Sequence, residues 1–104
     1  MESDGSFSFS YSWSMQSQLF KPASSSIKVY ARATSTSSDK SYSIWLYKSG
    51  EDEPVQKVNY TANGKEQYYQ FTGLNTNSYY YLYFTKSLLN DGKVTGSGRI
   101  DHIQ

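Results

Sequence analysis

The sequence predicts an all-β fold, an antiparallel sandwich of about seven strands forming one domain over residues 1–104. Three observations carry this. Aromatic residues make up 17% of the 104 residues, eleven of them Tyr, against a background of Ser and Thr. The mean hydropathy is low, at −0.70. Low hydropathy with few aromatics reads as disorder, whereas here the aromatics supply a core. Finally, segments of period-two alternation recur between turn signals at the spacing of a sandwich, and Ala and Leu, which would favour helices, are scarce.

The first strand is the clearest. Phe7, Phe9, Tyr11 and Trp13 alternate with Ser6, Ser8, Ser10, Ser12 and Ser14, giving one aromatic face, expected in the core, and one hydroxyl face. Pro22 to Ser26 marks a turn. Ile27, Val29, Ala31 and Ala33 form the apolar face of a second strand, and Ser35 to Lys40 is a polar connecting loop. In the third strand Tyr42, Ile44 and Leu46 lie on one face and Trp45 and Tyr47 on the other. Two apolar faces place it centrally. Ser49 to Pro54 turns the chain, and Val55 to Thr61 follows as an edge strand because of Pro54. Asn63-Gly64 is a type I′ hairpin signal that predicts pairing of Val55–Ala62 with Glu66–Phe71. Tyr79 to Thr85 alternates Tyr80, Leu82 and Phe84 with Tyr79, Tyr81 and Tyr83, and is again central. Asn90, Asp91 and Gly92 form a turn, with Leu88 and Leu89 read as a lid on the end of the core. The last strand runs from Lys93 to Ile103, where Gly96 and Gly98 mark a bulge or a close backbone approach.

The run Tyr69-Gln-Phe71-Thr-Gly73-Leu74-Asn-Thr-Asn-Ser-Tyr79-Tyr80-Tyr81-Leu82-Tyr83-Phe84 resembles the fifth and sixth strands of fibronectin type III modules. Leu74 and Tyr80 hold the outer places of that family's tyrosine corner, and Asn-Thr-Asn-Ser replaces its Pro and Thr. The resemblance implies an immunoglobulin-like or fibronectin type III-like order of strands, with a jelly roll as the alternative, and a Tyr80 hydroxyl tied to nearby backbone. In style, the Ser-, Thr- and Tyr-rich, cysteine-free chain resembles small secreted proteins of Gram-positive bacteria. An extracellular protein is therefore expected, its signal peptide removed, since Met1-Glu2-Ser3-Asp4 has neither a basic start nor an apolar stretch.

Composition excludes several functions. Ten Lys and Arg against nine Asp and Glu give a net charge of +1, which does not build the basic groove of a nucleic-acid binder. No apolar run is long enough for a spanning helix. The single His, His102, stands two residues from the end, so neither a Ser/His/Asp triad nor a zinc site is expected. Glu51, Asp52 and Glu53 lack the spacing of a calcium loop and read as a solvated turn. Gly96-Ser97-Gly98 lacks the helix of a phosphate loop. The sequence therefore predicts a protein without catalytic residues, metal or cofactor.

Binding is the expected activity. If Tyr42, Ile44, Leu46, Tyr80, Leu82 and Phe84 fill the core, then Trp45, Tyr47, Tyr79, Tyr81 and Tyr83 project together from the opposite face. Amphipathic rings in such a row suit a polysaccharide, a cell-wall ligand or a cell-surface protein. The same tyrosines also serve simply as stabilising cross-strand pairs. The competing class is a structural or inhibitory protein that binds another protein through loops, or through strand addition at the edge after Pro54.

Overall fold

The computed structural model describes residues 5–86 and 92–103. Among these are eight strands and no helix: β1 (Ser6–Tyr11), β2 (Met15–Gln16), β3 (Ile27–Ser35), β4 (Ser41–Lys48), β5 (Pro54–Thr61), β6 (Gln67–Phe71), β7 (Tyr80–Lys86) and β8 (Val94–Ile100). They form two four-stranded antiparallel sheets, ordered β1-β8-β3-β6 and β2-β7-β4-β5. The sheets pack face to face as a β-sandwich. The pairing is nested: β1 pairs with β8, β2 with β7, β3 with β6 and β4 with β5. β4 and β7 are interior strands and β5 is an edge.

Several expectations are corrected. An immunoglobulin-like order sets the last strand beside the sixth predicted strand, here β7. Instead β8 lies between β1 and β3, in the other sheet. Asn63-Gly64 does not close a hairpin either, because β5 and β6 belong to different sheets. Only Gly64 takes a positive φ, at 82°. Its N–H donates to the Ala33 carbonyl and Asn63 Oδ1 accepts from the Lys65 N–H, so the segment is a crossing pinned to the end of β3. The first strand is shorter than its alternation. Its ladder with β8 ends at Tyr11 and the chain bends across to pair Met15 with Phe84. Phe7, Phe9 and Tyr11 are buried, but Trp13 falls on the bend and is 84% exposed. The expected lid residues Leu88 and Leu89, with Asn90 and Asp91 of the predicted turn, lie outside the described residues.

Gly96 and Gly98 sit in an unbroken strand whose register does not slip. They mark close approach, not a bulge. A β-carbon at Gly98 would lie 1.9 Å from the Tyr30 carbonyl oxygen and 2.8 Å from the Phe7 ring; one at Gly96 would lie 2.2 Å from the Arg32 carbonyl oxygen. Across the inner face these glycines pair with Phe7 and Phe9 on one side and Ala31 and Ala33 on the other. The space left by four small residues admits large rings. Phe9 stacks on Phe84 of the opposite sheet at 4.7 Å and touches Tyr42 at 5.9 Å, while Phe7 and Tyr11 reach the same Phe84 ring at 5.6 and 6.3 Å.

The core tyrosines differ in how their hydroxyls are satisfied. Tyr60 donates to the Val29 carbonyl and Tyr11 to the Thr85 carbonyl, each at 2.9 Å. Tyr80, the first residue of β7, accepts the Asn75 N–H at 2.9 Å. The buried Tyr42 hydroxyl has no hydrogen-bond partner among the described residues. An unsatisfied buried hydroxyl costs free energy that an apolar ring does not. Tyr42→Phe is therefore expected to leave stability unchanged or raise it, whereas Tyr60→Phe, which loses a made bond, costs about 1 kcal/mol. Urea unfolding midpoints of the two variants check this.

Burial also holds the phenols of Tyr11, Tyr42 and Tyr60 well above their ordinary pKa of 10.0, with nearby tyrosines adding to the effect at Tyr11 and Tyr60. In the unfolded chain these groups ionise near 10.0, and in the folded chain they stay protonated. Their contribution is thus fully present below pH 10 and is lost as pH rises further, by up to about 1.4 kcal/mol per pH unit for each. Thermal melts are expected to show a midpoint that drops steeply above pH 10, and the drop is shallower in Tyr42→Phe.

Candidate functional site

Strand parity builds the site. In β4 and β7 the side chains of Ile44, Leu46, Leu82 and Phe84 are fully buried. Their neighbours must then leave by the other face. Register sets Trp45 beside Tyr83 and Tyr47 beside Tyr81. The Trp45 and Tyr83 rings lie 5.8 Å apart at 37°, and those of Tyr47 and Tyr81 lie 5.3 Å apart with planes only 4° from parallel. An edge contact of 5.9 Å from Tyr47 to Tyr83 joins the two pairs. Such pairs contribute roughly 0.5–1.5 kcal/mol beyond area burial and hold each ring in place. All four are half-buried.

Tyr79, the fifth predicted residue, stands just before β7 and is 52% exposed. Its carbonyl accepts the Ser49 N–H, and its ring faces the Lys21 ammonium at 5.5 Å. It extends the aromatic surface at one end without joining the packed cluster.

Several residues of this face are not singled out by the sequence reading. Lys57, opposite Trp45 on β5, holds its ammonium 4.4 Å from the centre of the indole. Next along the strands comes a polar row of Thr85, Ser43 and Asn59, set side by side by register, in which Ser43 Oγ donates to Asn59 Oδ1 at 2.8 Å. These groups, with Ser41, Thr61, Lys86 and the edge of Trp45, line an open depression of about 600 Å³. Parity alone puts Ser43 beside Trp45 and Thr85 beside Tyr83. The places of Asn59 and Lys57 depend on the β4–β5 register.

The depression offers hydroxyls, an amide and an ammonium, and its lining contains no carboxylate. Glu53 lies near the other end, where it contributes to the electrostatics of Tyr47. No protein-family model, curated protein or solved structure matches this chain.

The phenol of Tyr47 is held above 10.0, first by desolvation among its neighbours and then by the charges that Tyr81, Tyr83 and Glu53 would place beside it. Carbon-13 NMR of ring-labelled tyrosine is expected to show a late-titrating signal that vanishes in Tyr47→Phe. That signal moves back toward 10.0 in Tyr81→Phe.

Proposed function

We propose that this protein is a non-catalytic saccharide-binding module, and that the outer face of β2-β7-β4-β5 is its ligand surface. One observation carries the reading: a packed platform of Trp45, Tyr83, Tyr47 and Tyr81 stands directly beside the polar row of Ser43, Asn59 and Thr85. A sugar ring presents the same two chemistries, an apolar C–H face and a rim of hydroxyls. Rings held by each other lose little side-chain entropy on binding, so more of the contact energy survives. Hydroxyl and amide side chains both donate and accept, which suits a ligand that does the same. An extended polysaccharide or cell-wall glycan fits an open face better than a small molecule does, since small-molecule sites are concave and enclose their ligand.

Two further parts of the proposal rest on other grounds. The nested pairing of first with last strand, second with seventh, third with sixth and fourth with fifth supports a jelly roll rather than an immunoglobulin-like or fibronectin type III-like sandwich. The extracellular, bacterial setting rests on composition alone: a cysteine-free chain rich in Ser, Thr and Tyr.

The test is adsorption to a panel of insoluble polysaccharides and purified bacterial cell wall, with Trp45→Ala and Tyr81→Ala beside the parent chain and folding checked by circular dichroism. Retention of the parent on at least one matrix is expected, with a loss of about tenfold or more in each variant, corresponding to about 1.4 kcal/mol per ring. Retention that survives both substitutions, or no retention on any matrix, overturns the reading.

A further inference from the structure

Among the described residues, cations stand over aromatic rings at four places, and the four differ in what else holds the cation. Arg99, 3.9 Å from the Tyr30 ring, is neutralised by an ion pair with Asp101. Lys21 and Lys28 each lie 5.5 Å from an exposed tyrosine, Tyr79 and Tyr68. Lys57 approaches its ring more closely than either, at 4.4 Å, and that ring is Trp45, which belongs to the packed cluster and lines the depression. Its ammonium makes no ion pair among the described residues.

Asn59 follows two residues later on the same face of β5. Ser43 Oγ donates to its Oδ1 at 2.8 Å. This bond occupies the amide oxygen and leaves Nδ2, whose N–H groups have no acceptor among the described residues. An ammonium and an amide nitrogen can only donate. The lining of the depression supplies no carboxylate to receive them. Asp39 is engaged elsewhere, accepting from the N–H and the Oγ of Ser41 at 2.9 and 2.6 Å. Glu53 acts on the Tyr47 phenol, two rows of the sheet away from Asn59. This part of the face is therefore rich in donors and short of negative charge. Positions i and i+2 of a strand lie about 7 Å apart, a gap that a carboxylate or a sulfate closes with one hydrogen bond at each end.

We infer that the saccharide bound on this face is acidic, its anionic group held between Lys57 Nζ and Asn59 Nδ2 while the sugar ring that carries it rests on Trp45. This rests on the saccharide reading above and narrows it to a chemical class. The indole holds the ammonium in place before any ligand arrives, and hydrogen bonds from a cation to an anion are roughly twice as strong as neutral ones. A neutral chain meets the same rings but gives Lys57 no counter-charge, so it binds more weakly. The rings thus supply the affinity for sugar, and Lys57 with Asn59 supplies the choice among sugars.

Adsorption to matched pairs of insoluble polysaccharide tests this: cross-linked polygalacturonate against its fully methyl-esterified form, and cellulose against cellulose sulfate. The parent is expected to bind the acidic member of at least one pair about tenfold or more tightly than its neutral partner, and the pair that shows the preference tells carboxylate from sulfate. Lys57→Gln and Asn59→Ala, both on an exposed strand face and checked for folding by circular dichroism, are each expected to reduce that ratio toward one. Lys57→Arg keeps it. Lys28→Gln, which removes one positive charge from the other sheet, keeps it too. Trp45→Ala loses retention on both members. Equal retention on both members of both pairs, a preference that survives Lys57→Gln or Asn59→Ala, or one that Lys28→Gln abolishes as well, overturns this inference and leaves the saccharide reading standing as long as Trp45→Ala loses retention. No retention on any matrix, or retention that survives Trp45→Ala, overturns both.

Discussion

The interaction on which the rest depends is the fit of large rings into space left by small residues between the two sheets. Phe9 stacks on Phe84 across the core, and it can do so because Gly96 and Ala33 occupy the neighbouring places on its own sheet. Facing sheets pack about 10 Å apart, a gap that cannot hold aromatic side chains in every row from both sides. One sheet therefore concentrates its bulk at β1 and thins out at β8 and β3, and the other supplies Phe84, Tyr42 and Tyr60. The glycines cost conformational entropy in a strand. That cost is offset by ring contacts that no β-branched residue at those positions would permit.

The same constraint produces the outer face. Once Ile44, Leu46, Leu82 and Phe84 turn inward to the core, where Phe84 meets the rings of β1, parity leaves Trp45, Tyr47, Tyr81 and Tyr83 no direction but outward. They are ordered by pairing with one another and by the Lys57 ammonium over the indole. The paired rings stand over the core, with the polar row of Thr85, Ser43 and Asn59 next along the same strands. The core and the face are thus two sides of the same two strands.

The four sheet edges show how differently one chain treats equivalent places. Pro54, Lys57 and the Gln67 amide guard the edge nearest the aromatic face, whereas the edge strands β1 and β6 carry neither charge nor proline. The serines of β1 have a structural duty, since Ser10 Oγ lies 3.2 Å from Thr95 Oγ1 across the β1–β8 ladder. A strand that alternates so strictly gives the core its rings and its opposite face a row of hydroxyls.

The sequence by itself determined the all-β class and, strand by strand, which side chains share a face. Side-chain direction in a strand has period two, so Phe7/Phe9/Tyr11, Ile27/Val29/Ala31/Ala33 and Tyr42/Ile44/Leu46 announce their buried faces without reference to anything distant. The five aromatics of the candidate site were legible for the same reason. Only the tertiary structure decided which strands are neighbours. Asn63-Gly64 carries the local chemistry of a hairpin, yet β6 pairs with β3 in the other sheet, where Phe71 is buried beside Ile27. Trp13 continues the alternation of β1 but loses its ladder where the chain crosses between sheets. Lys57 meets Trp45, and Asn59 meets Ser43, through a register fixed by residues far apart in the chain. Turn preference and periodicity act within a few residues, whereas strand order is chosen by the burial of whole faces, a property that belongs to all the strands at once.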